Sequence, residues 1–261
     1  MKVKTISAKH NYASFLGGSI SLDDVVVDSP KVVLSVKEAM EEQADAESDK
    51  KKPTEKSGKG FNLKELDLTV INGDVKIRKF AKAEDAKTLH FSNIASKIDL
   101  NKPGKQSQFD VGSAVADGET KSKVTANGSV KRPKKKWSLS DVDGSVNVKV
   151  DKLDLKTLEP MLVLLGKEDV DVSGIVNVDA KAQVDKGAVE DLSVHAVVDG
   201  FSQTVDGKVI AVDEPVTLKA NVSEENEQIN LDEFKLESSF MNITAEGTAE
   251  EIDYVAKADI G

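Results

Sequence analysis

The chain has 261 residues, 39% apolar, 4% aromatic and 31% charged, with a formal net charge of −10 and no cysteine. The negative balance argues against wholesale nucleic-acid binding. The missing cysteine excludes disulfides, thiolate metal sites and cysteine nucleophiles. No run of about 18 apolar residues is present to cross a membrane as a helix, and the first residues lack the apolar stretch of a secretory signal. The length suits one or two ordinary domains or one large all-β domain.

Taken in order, residues 18–27 read as a strand closed by Asp28-Ser29-Pro30, and Val32–Val36 as a second. Residues 41–60 are dominated by Glu, Lys, Ser and Gly and predict a flexible charged linker, since they bury too little to offset their ordering entropy. Strand patterning resumes at Phe61–Ile71. Asn72-Gly73, followed by Asp74–Phe80, predicts a tight hairpin. Further strands are predicted at about 88–100, 107–117, 120–130, 137–151, 168–184, 188–199, 208–222, 227–237, 239–248 and 252–260, separated by turn residues such as Asp117-Gly118 and Asp206-Gly207. One segment departs from this rhythm. Leu155, Leu158, Leu162 and Leu165 fall at helical spacing, which predicts a short helix over 157–165 with Thr157 as N-cap and Gly166 as stop.

The longest alternation runs Val170, Val172, Gly174, Val176, Val178, Ala180, Ala182, Val184. Between them stand Asp171, Ser173, Asn177, Asp179, Lys181 and Gln183, with Ile175 the exception. A period of two over that length predicts a long strand with one apolar and one polar face. The predicted fold is mainly all-β: a long curved antiparallel up-and-down sheet forming an open apolar groove. Its parts are an N-terminal strand pair (1–40), the linker (41–60) and the main groove domain (61–261). The chain stops in what reads as mid-strand, which suggests a fragment of something longer.

Little in the sequence points to chemistry. His10, His90 and His195 fall on different strands without a metal-ligand partner nearby and read as ordinary surface or edge histidines. Asp141–Asn147 has the opening of a calcium loop, but position 152 is Lys where the bidentate Glu would stand. Asp169 and Asp171 read as solvated-face residues rather than an acid/base pair. No phosphate loop, nucleophile elbow or triad is visible, so no enzyme and no cofactor or metal is predicted. The one basic cluster, Lys131, Arg132, Lys134, Lys135 and Lys136, reads either as a charged hairpin turn or as a contact for anionic headgroups.

Three stretches resemble the AsmA-like family of bacterial envelope proteins: Gly18–Pro30 with Lys31–Leu34, Phe61–Ile77, and Leu153–Leu162 leading into Val172–Ala180. The family's N-terminal membrane helix has no counterpart here. The resemblance implies a repeating β-groove that carries phospholipid acyl chains across the periplasm, between inner and outer membranes, with envelope protein partners at its ends. It implies a role in outer-membrane biogenesis and anchoring to the inner membrane. On this reading Val172, Val176, Val178, Ala180, Val184, Leu192, Val194 and Val198 line the groove. Asp179, Lys181, His195 and Asp199 face outward. Two other readings stand beside it: a β-rich scaffold that binds another protein, and a carbohydrate-binding domain, which should expose more aromatics than one Trp and two Tyr.

Overall fold

The computed structural model describes residues 2, 4–10, 19–35, 62–78, 88–117, 120–133, 142–159, 171–205, 207–225, 228–248 and 252–258. These build one 15-stranded sheet and almost nothing else. The strands are β1 (Thr5–His10), β2 (Ser19–Asp28), β3 (Lys31–Ser35), β4 (Asn62–Arg78), β5 (Thr88–Leu100), β6 (Gln106–Asp117), β7 (Thr120–Lys131), β8 (Asp143–Asp154), β9 (Asp171–Asp185), β10 (Ala188–Val205), β11 (Lys208–Ala211), β12 (Val216–Glu225), β13 (Gln228–Glu237), β14 (Met241–Thr248) and β15 (Ile252–Ala258). From β4 to β15 the order in space follows the order in sequence, apart from β11, which pairs only with β10. The fold is all-β, and its sheet is open. The predicted linker at 41–60 lies outside the described residues.

Two features depart from the expected antiparallel meander. β2 and β3 do not pair with each other; both run parallel to β4, end to end along its length. Residues 36–61 separate β3 from β4, a span long enough for the crossover that a parallel pair requires. Nor is Asn72-Gly73 a hairpin, since β4 runs straight through it. Asn72 takes a φ of 53°, and the register slips on both sides of Gly73. The dipeptide supplies its positive φ to a bulge instead of a turn. Neighbours hold the bulge: the Ser29 amide donates to Ile71 O at 2.9 Å, and the Asn72 amide group donates to Asp28 at 3.3 Å.

The Asp28 carboxylate also accepts the Ser29 hydroxyl at 2.8 Å and lies 3.8 Å from the Lys4 ammonium. Those hydrogen bonds, from Ser29 first and Asn72 second, hold its pKa below the ordinary 3.8. A depressed carboxyl stabilises the fold above its unfolded value and ceases to do so as pH falls through the folded one. Asp28→Asn should therefore lower the thermal midpoint slightly at neutral pH and flatten the acid limb, so that variant and wild type converge as pH falls below 3.8.

Similar bulges interrupt β5 between Ser92 and Ala95, β8 between Val150 and Leu153, and β10 between Asp199 and Ser202. Asn93 and Lys152 adopt positive φ there. The buried core sits on the same side of the sheet as these bulges. Leu89, Val115, Leu153 and Val176 are the buried residues, with Ile77, Phe91, Val124, Val150, Val178 and Val198 packed around them. Leu155 and Leu158, from a single 3-10 turn after β8, close over the cluster. Asp154 caps that turn by accepting the Lys156 amide at 2.9 Å. Thr157, the expected cap, is instead buried and donates to Asp154 O at 2.7 Å. The remainder of the predicted helix, 160–165, lies outside the described residues. Leu89, 1% exposed, should cost about 2–5 kcal/mol when cut to alanine, read from the urea midpoint.

Candidate functional site: one uninterrupted apolar face

In an antiparallel pair, residues directly opposite share a face. The register therefore extends each strand's alternation into rows that cross the sheet. One row runs Val70, Ser96, Val111, Ala126, Val148, Ala180, Val194, Ala220, Phe234 and Ala245. The next runs Leu68, Ile98, Phe109, Gly128, Val146, Ala182, Leu192, Val222, Leu231 and Gly247. On the bulge side of these, Val124, Val150, Val178, Ala196, Leu218, Leu236 and Ile243 make a third. Apart from the Leu89 cluster and Val25, these side chains are half-buried. That is what one sheet layer gives when no second layer packs on it. Among the described residues only the 3-10 turn at Leu155–Leu158 lies over this face.

The opposite face is mostly polar, with Val197 and Ile175 among the exceptions. Lys149, Asp179, His195 and Lys219 stand opposite one another in a polar row in which Lys149 faces Asp179. Hydrogen bonds cross the strands beside it: Gln106 to Ser129 at 2.8 Å, Ser129 to Ser145 at 3.2 Å, Asn147 to Asn127 at 3.1 Å and Asn221 to Glu233 at 2.9 Å. His90 belongs to this side and lies 2.6 Å from Asp74. No cluster able to hold a metal ion is found among the described residues.

The sheet was expected to be concave on its apolar side. On that side the Leu89 cluster is buried, while two of the described hollows are lined mainly by polar-face residues. One of about 580 Å³ is lined by Gln106, Gln108, Asp110, Asn127 and Ser129, and a neighbour of about 350 Å³ shares Gln106 and Ser129. Both flank a point where β7 and β8 approach too closely for side chains. A Cβ on Gly128 would sit 2.1 Å from Ser145 O, and one on Gly144 would sit 2.4 Å from Ser129 O.

Of the predicted lining residues, the structure brings seven into one patch: Val176, Val178, Ala180 and Val184 on β9 against Val198, Val194 and Leu192 on β10. Val176, Val178 and Val198 belong to the closed core, and the others lie on the open part. Val172 is set apart, beyond Gly174 (φ 140°) and opposite Gln203. In the basic cluster, Lys131 is engaged with Asp143 at 3.5 Å, and the Arg132 guanidinium donates to the Asn101 carbonyl. Lys134, Lys135 and Lys136 lie outside the described residues. The sequence reading confined the face to two strands. Its continuation over β4–β8 and β12–β14 follows from the same period of two, visible in Leu66-x-Leu68-x-Val70 and Val146-x-Val148-x-Val150. No helix among the described residues is long and apolar enough to cross a membrane. No family model, no curated protein and no solved structure matches the chain.

Proposed function

We propose that this protein is a non-enzymatic lipid-binding sheet of the bacterial cell envelope. On this reading its apolar face carries phospholipid acyl chains on the periplasmic side, between inner and outer membranes, in support of outer-membrane biogenesis. The observation that carries the reading is the apolar face itself, continuous from β4 to β14 and covered, among the described residues, only at the bulge side. The resemblance to the AsmA-like family supplies the cell-envelope setting, the anchoring to the inner membrane and the expectation of partner proteins at the sheet ends. A fully buried methylene contributes ~0.8 kcal/mol, so a sixteen-carbon chain with roughly half its surface on the sheet gains about 6 kcal/mol. That suits reversible carriage and needs no polar contact. Native mass spectrometry of the protein purified from bacterial membranes should show bound phospholipid. A protein that is lipid-free by that measurement and captures none from vesicles would refute the reading. A folded partner covering the same face would then favour the scaffold alternative.

A further inference from the structure

From β4 to β9 the described open face is almost entirely hydrocarbon, and its polar side chains are four serines gathered on β5, β6 and β7: Ser96, Ser107, Ser113 and Ser122. Two of them serve the fold. Ser107 is 1% exposed and accepts the Asn101 amide at 2.9 Å; Ser122 is 2% exposed and donates to Lys152 O at 2.8 Å. Ser96 and Ser113 are different. Both are half-buried on the open part of the face, Ser96 between Val70 and Val111, Ser113 beside Val124. Neither hydroxyl has a hydrogen-bond partner among the described residues. They are diagonal neighbours across the β5–β6 pair, which places them about 7–8 Å apart.

A hydroxyl that packs among apolar side chains loses its water when hydrocarbon covers the face, at a cost unless the covering molecule brings an acceptor. We infer that Ser96 and Ser113 receive the ester carbonyls of a diacyl glycerolipid, which fixes its glycerol region over β5–β6 and leaves the chains to lie across β7–β14. The inference rests on the lipid reading above and adds the class of lipid and its register. Acyl methylenes match the Val and Ala rows equally well anywhere on the sheet, so only these two donors set a position. A hydrocarbon tail without an acceptor would bury both hydroxyls unpaired. That is selection by an unmet hydrogen bond, the kind that discriminates more sharply than apolar contact does.

The test offers the protein vesicles holding equal amounts of dipalmitoyl phosphatidylcholine, its dihexadecyl ether analogue and palmitate, with retained lipid read by native mass spectrometry. The wild type should retain the ester lipid over the ether lipid by about 5- to 10-fold, the size expected for two neutral hydrogen bonds. Ser96→Ala/Ser113→Ala should keep its thermal midpoint, retain less of the ester lipid and bring that ratio to about one. Equal retention of ester and ether lipid by the wild type would overturn the inference while leaving the lipid reading standing. So would an unchanged ratio in the double variant, or palmitate retained in place of the ester lipid. If the wild type retains none of the three, the lipid reading falls and this inference with it.

Discussion

Ala180→Asp is expected to abolish phospholipid retention, whereas Lys181→Asp, one residue further along β9, leaves it intact. Ala180 lies on the open apolar face between Val148 and Val194, and Lys181 on the opposite face between Asn147 and Ser193. An acyl chain passing over Ala180 would have to strip water from the new carboxylate, and an unpaired charge in hydrocarbon costs far more than one chain gains. Without lipid, water reaches the same carboxylate, so the apoprotein should lose only ~1 kcal/mol and stay folded. Val178 is the poorer choice because it packs against the buried cluster. An aspartate there would test the core. If both variants bind lipid equally while folded, the face is not a lipid path.

A large effect on stability is also expected from adding a single methyl group. At Gly128 a Cβ would stand 2.1 Å from Ser145 O and 2.8 Å from Phe109 Cζ, and at Gly144 it would stand 2.4 Å from Ser129 O. The Phe109 ring can swing away, but the carbonyls belong to paired backbone, so relief requires β7 and β8 to move apart. Gly128→Ala should therefore cost about 2–4 kcal/mol, as overpacking against a rigid neighbour does. In a chain of this length that corresponds to a thermal midpoint lower by about 5–15 °C. Gly112→Ala on adjacent β6 is the control: its Cβ would meet only Thr125 Cγ2, at 3.9 Å. Similar midpoints for the two variants would mean that the close approach of β7 and β8 is not a structural constraint.

These two glycines show where the sequence was legible and where it was not. Alternation alone located β5 to the residue and β6, β7 and β13 to within one, because each strand buries one face and a period of two can be satisfied only one way. It could not reveal which glycines sit at a strand-to-strand contact, since that depends on a neighbour's carbonyl. Asn72-Gly73 was misleading for a related reason. A positive φ is required by a two-residue turn and equally by a bulge, and the choice rests with Ser29, Pro30 and Ile94 packed around it. The predicted strand at 208–222 proved to be two, β11 and β12, divided at residues 212–215, where Pro215 cannot donate to the ladder. The parallel seating of β2 and β3 on β4 carries no periodic signature at all. As for the candidate site, the apolar alternation was legible at Val176–Val198, while the width of the face was not, because each strand is too ordinary by itself to mark a shared surface.

The central claim is that lipid occupies one face of this sheet, and photo-crosslinking tests it most directly. The protein is loaded with a phosphatidylcholine that bears a diazirine midway along one acyl chain, irradiated, digested and mapped by mass spectrometry. Adducts are expected on Val146, Val148, Ala180, Ala182, Val194 and Ala220, and none on their strand neighbours Lys149, Asp179, Lys181 and His195. Adducts spread evenly over both sets, or concentrated on the polar face, would contradict that claim.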